Sequence, residues 1–67
     1  MGLKNLQLAE LRIIARPDRF GRYSYEMQDK DGFLAGARNM TTWQARNYFA
    51  GLTPFDESEL PPVEFDP

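Results

Sequence analysis

The segment Met40–Pro54, MTTWQARNYFAGLTP, carries both a helix start and a helix stop, and it constrains the fold more than any other part of the chain. Thr41 is placed as an N-cap, and Gln44, three residues on, can reach back to the Thr41 amide to close a capping box. Gly51 followed by Leu52, with Pro54 beyond them, is expected to end the helix in a left-handed cap. The rod between these signals is about two and a half turns long, too short to hold its shape alone in water. It has to pack on something, and the residues before it read as a small sheet.

Steps of about 100° per residue place Ala45, Tyr48, Phe49 and Leu52 in one arc of that helix, the expected core stripe. Trp43 and Ala50 fall on another side, flanked by Arg46 and Asn47. Trp43 then has two readings. It is covered by the C-terminal segment or the sheet edge, or it is a contact residue for a partner, since Trp and Arg side by side are enriched in binding hot spots.

Before the helix, alternation predicts strands. Leu6 and Leu8, then Leu11, Ile13 and Ala15, alternate with a phase slip at Ala9–Glu10. A helix over residues 3–14 is the competing pattern. The Ile13-Ile14 pair and the stop at Pro17 favour a strand from Leu11 onward, with Arg12 and Arg16 on its other face. Pro17–Gly21 is a turn. Arg22–Gln28 alternates Tyr23, Tyr25 and Met27 against Arg22, Ser24, Glu26 and Gln28, a half-buried antiparallel strand. Asp29-Lys30-Asp31-Gly32 forms a hairpin turn with a bulge, Gly32 taking the positive φ. The same Asp-x-Asp-Gly string opens calcium loops, but the closing Glu is missing. Phe33–Asn39 is a third strand, its small residues Ala35, Gly36 and Ala37 admitting the helix.

The 67 residues suffice for one domain with a thin core. With no Cys and no His, a disulfide framework and a thiolate or imidazole metal site are excluded, and the commonest general bases and nucleophiles are missing. The expectation is a protein that is not an enzyme and needs no cofactor. No apolar run is long enough to span a bilayer and the N-terminus lacks the apolar core of a signal peptide, so a cytoplasmic location is the default. Charge is unevenly placed: residues 1–52 carry +3 and residues 53–67 carry −5, for a net charge of −2. The latter stretch, with Pro54, Pro61, Pro62 and Pro67 among its acids, is expected to be an extended or partly disordered tail. Its Phe55 and Leu60 either fold back over Trp43 to complete the core, or they belong with Asp56, Glu57 and Glu59 to a partner-binding acidic motif. The predicted fold is therefore α+β: a three-stranded antiparallel meander packed by one C-terminal helix (residues 1–52), followed by the acidic tail (53–67).

Two resemblances attach to these motifs. Gly21-Arg22-Tyr23-x-Tyr25-Glu26-Met27, Asp29-x-Asp31-Gly32 and Thr41-x-x-Gln44-Ala45 resemble the three-stranded-sheet DNA-binding domain of plant AP2 proteins and the arm-binding domain of phage integrases, over about residues 11–52. That resemblance implies a sheet lying in the DNA major groove, although this chain is acidic overall and mixes Glu26 with its arginines. Gly36-Ala37-Arg38-Asn39, Thr41-Thr42, Tyr48-Phe49 and Gly51-Leu52 are similar to the strand-to-helix passage of a small phage-encoded anti-CRISPR protein that inhibits a type I surveillance complex. The second helix that follows in that family is absent here. What it implies is a protein that binds a host complex and blocks nucleic-acid access.

Three functions follow as expectations. The first is a small phage or mobile-element interaction protein, acting in the cytoplasm of a bacterial host, that inhibits a host protein or nucleoprotein complex. Its contacts would be Trp43, Arg46, Asn47, Tyr23 and Tyr25, with the tail acids Asp56, Glu57 and Glu59 imitating phosphates. The second is a DNA-binding accessory domain in which Arg12, Arg16, Arg22 and Arg38 converge on one sheet face. The third is an assembly protein that forms a homodimer through an open sheet edge.

Overall fold

Ile13 and Ile14 stiffen the first extended run, and their neighbours pair it on both sides. In the computed structural model, which describes residues 5–67, this run is β1 (Arg12–Pro17). It is followed by β2 (Tyr23–Asp29), β3 (Gly32–Ala37), α1 (Thr42–Gly51) and β4 (Val63–Phe65). Single 3-10 turns occupy Leu8–Glu10 and Glu57–Glu59. β1 and β2 pair antiparallel from Arg12 opposite Gln28 to Pro17 opposite Tyr23, and β2 pairs antiparallel with β3.

The expected three-stranded meander is corrected to a mixed four-stranded sheet of order β3-β2-β1-β4. The segment after Leu52 returns to the sheet, and β4 pairs in parallel with β1, Ile13 opposite Val63 and Ala15 opposite Phe65. The Asp66 amide continues the ladder to the Ala15 carbonyl at 2.8 Å. A proline-rich segment can do this because β4 is three residues long and lies at an edge, where one row of N–H groups needs no partner. Pro61 and Pro62 precede it and Pro67 follows it.

The alternation at Leu6 and Leu8 does not make a strand. The Glu10 amide bonds back to Gln7 and the Leu11 amide to Leu8, so the phase slip at Ala9–Glu10 is a tight turn and the extended run begins at Arg12. Both hairpin turns use glycine at positive φ, +80° at Gly21 and +118° at Gly32, where a Cβ would be strained. Asp18 closes the first turn by accepting from the Phe20 and Arg22 amides at 2.8 and 2.9 Å. The β2–β3 ladder carries a bulge, with Leu34 the extra residue between the Gln28–Phe33 and Met27–Ala35 pairs.

α1 begins with the capping box read from the sequence: Thr41 Oγ1 accepts from the Gln44 amide at 3.1 Å, and Gln44 Oε1 accepts from the Thr41 amide at 2.9 Å. It lies on one face of the sheet and buries Ala45 and Phe49 against Ile13, Ala15, Tyr25, Met27 and Ala37, with Leu11 and Leu60 completing the cluster. Leu52 and Ala50 pack at its margin, and the expected left-handed cap is corrected: Gly51 is the last helical residue and Leu52 ends the helix in the right-handed region, its amide bonding back to Phe49. Tyr48, expected in this stripe, is 43% exposed. The 3-10 turn at Glu57–Glu59 packs beside the Arg46–Ala50 flank of the helix, which turns the buried arc toward that flank and away from Tyr48.

Leu60 is buried and Phe55 packs against the core, so the C-terminal segment does complete it. It does not cover Trp43, which stays 67% exposed. The other face of the sheet carries no helix. Ile14 is buried there all the same, in a shallow groove that Arg12 and Arg16 also line.

Candidate functional site

The uncovered sheet face is laid out by strand alternation. Arg12 and Arg16 on β1 stand between Glu26 and Gln28 on β2 and Glu64 and Asp66 in and beside β4. Arg12 donates through two nitrogens to Glu64, at 3.0 and 2.7 Å. Arg16 bridges Glu26 and Asp66, the latter at 3.3 Å, and Gln28 donates to Glu26 at 3.0 Å. The hydrogen bond from Arg12, aided by its charge and opposed by partial desolvation, holds the Glu64 carboxyl below the usual carboxylate value. Arg12 and Arg16 are raised above the ordinary guanidinium value, mainly by their bonds to Glu64 and Glu26.

Arg38 lines a shallow groove on this face with Arg16, Ser24, Glu26, Phe33 and Gly36. Arg22 stands apart at the β1–β2 turn, with Nη1 3.4 Å from Asn39 Oδ1. Of the four arginines expected to converge, three therefore share the face and one does not. Two of those three are neutralised by carboxylates of the same chain.

The expected contact residues part company as well. Tyr25 is 4% exposed, packs in the core and shares a 2.9 Å hydrogen bond with Thr42. Arg46 is a structural clamp, its side chain 17% exposed. Its Nε donates to Glu57 Oε1 at 3.1 Å, Nη2 to the Glu57 and Leu60 carbonyls at 2.9 and 3.1 Å, and Nη1 to the Pro61 carbonyl. Of the expected acidic motif, Glu57 bonds Arg46 and Glu59 Oε1 accepts from the Asp56 amide at 2.9 Å, while Asp56 and Glu59 stay exposed.

What remains outward on α1 is Trp43, Gln44, Asn47, Tyr48 and Gly51, an arc with no charged residue. The Asn47 amide donates to the Trp43 carbonyl at 2.8 Å. Tyr23 is partly exposed and meets Phe65 edge-on, ring centroids 5.2 Å apart. The sequence reading missed Phe65, and it missed the exposed Phe20 and Phe33. It also missed Glu64 and Asp66 as arginine partners, although the opposite charges of body and tail were the signal for them.

Among the described residues no group of three or more His, Cys, Asp or Glu side chains could hold a metal ion, and none has a buried side-chain polar atom without a partner. No helix is long and apolar enough to cross a membrane. Fold and surface together define a small α+β domain, a four-stranded mixed sheet backed by one helix. No protein-family model matches the chain, and no curated protein or solved structure is significantly similar to it.

Proposed function

We propose that this chain is a non-enzymatic interaction protein whose partner surface is the outward arc of α1, centred on Trp43. One observation carries this reading: a 67% exposed Trp, flanked by Asn47 and with the partly exposed Tyr48 on the same uncharged arc. A large aromatic left in water on a helix otherwise well seated is the composition of a binding hot spot. The partner suggested by the resemblance to anti-CRISPR proteins is a host protein or nucleoprotein complex whose access to nucleic acid would be blocked. Arg46, Tyr25, Asp56, Glu57 and Glu59 leave this surface, and Tyr48 and Gln44 join it.

The alternative, DNA read by the bare sheet face, is favoured by Arg38 and Phe33 lining one groove there. Against it, Arg12 and Arg16 would have to give up Glu64, Glu26 and Asp66 to reach phosphates. Titration against duplex and single-stranded DNA at two salt concentrations, beside a pull-down from bacterial lysate with wild type and Trp43→Ala, separates the two. Protein capture lost in the variant, with negligible DNA binding, is the expected result. Sub-micromolar, salt-sensitive DNA binding unaffected by Trp43→Ala would overturn it.

A further inference from the structure

The two edges of the sheet are treated differently. β4 is blunted in three ways: it is three residues long, has proline on both sides, and carries Glu64 with Asp66 beside it. β3, at the opposite edge, is six residues, GFLAGA, without a charge or a proline. Among the described residues no strand pairs with its outer side. Such an edge is a template for another strand.

The bulge at Leu34 tells which strand fits. A regular strand alternates faces, but here Leu34 and Ala35 both pack toward the core. Phe33 and Gly36 lie on the bare face, where the Phe33 ring is 3.4 Å from the position a Gly36 Cβ would take. The pattern along 33–36 is thus bare, core, core, bare, which reads the same in either direction. An antiparallel copy of the same strand, set with Leu34 opposite Ala35, matches face to face at every pair and places Phe33 opposite Gly36. A slip of one residue sets Leu34 against Gly36 and breaks the match. In this register the residues flanking the strand also meet, Asp31 of one copy beside Arg38 of the other, twice. Both are exposed, and among the described residues neither forms an ion pair.

We propose that two copies of this chain associate by antiparallel pairing of their β3 edges in that register, fastened at each end by Arg38 and Asp31. The inference is independent of the α1 surface and leaves Trp43 of each copy outward. A contact of one short strand buries less than the roughly 1,200 Å² of a stable complex, so the dimer is weak.

Sedimentation equilibrium of the whole chain from 10 μM to 1 mM tests it, with circular dichroism confirming that each variant is folded. Wild type is expected to dimerise across this range. Arg38→Asp alone and Asp31→Arg alone each set two like-charge pairs at the dimer ends and should weaken association about tenfold. An equimolar mixture of the two variants restores opposite charges at both ends, so a heterodimer of near wild-type affinity should form. Concentration-dependent amide shifts should be confined to residues 31–38. A wild-type chain that stays monomeric at 1 mM, a dimer indifferent to both reversals, or a mixture no tighter than its components would overturn the proposal.

Discussion

Arg46 Nη2 donates to the Leu60 carbonyl at 3.1 Å, joining the middle of the helix to the residue with which the C-terminal segment enters the core. The same guanidinium holds Glu57 and the Pro61 carbonyl, so one side chain fixes the path of five successive residues. Arg46→Ala leaves three backbone carbonyls and a carboxylate without their donor, and should cost about 2–4 kcal/mol. Arg46→Lys should recover only part of that, because an ammonium cannot present the planar fork. Urea denaturation of the two variants beside wild type checks both.

Removing residues 54–67 takes away Leu60, the β4 pairing and every acid that answers Arg12 and half of those that answer Arg16. A 67-residue domain has only about 5 kcal/mol to lose. The shortened chain should be unfolded at 25 °C, seen as loss of a cooperative thermal transition and of amide dispersion. A fragment that melts cooperatively would mean that three strands and α1 suffice.

The phase of α1 on the sheet can be read from two adjacent rings. Phe49 is fully buried and Tyr48 is not. Phe49→Ala should destabilise by about 3–5 kcal/mol, enough to threaten folding altogether, whereas Tyr48→Ala should cost under about 1 kcal/mol. Equal effects would place the buried arc between them, as the sequence alone suggests.

Acid should loosen β4 before it unfolds the sheet. The folded-state value of Glu64 lies below the ordinary carboxylate value, so its pairing with Arg12 is fully present above that ordinary value, near pH 4.5, and is lost as pH falls through the lowered one. Amide exchange at Asp66, bonded to Ala15, should therefore quicken below about pH 4.5 by more than intrinsic chemistry explains. Glu64→Gln should flatten that response. Added salt should weaken it, because both partners are exposed.

Trp43→Ala should leave the melting temperature within a few degrees of wild type, since the ring buries little. A large drop would show that the indole packs on the domain and would remove it from the partner surface.

The local grammar of the chain was legible without coordinates. The Thr41–Gln44 box, the glycine turns at 21 and 32, and the alternation of Tyr23, Tyr25 and Met27 all rest on interactions within a few residues or on hydrophobicity itself. Three things were decided only in three dimensions. The tail became a parallel fourth strand because β1 had an unpaired edge and arginines beside it, a complementarity across some fifty residues that no local pattern displays. The helix turned Tyr48 outward because the Glu57–Glu59 turn took the opposite flank. Arg46 and Arg12, which in sequence look alike as surface cations, became respectively a half-buried clamp and a paired surface charge, because the environment of a guanidinium is set by the chain segments that fold against it.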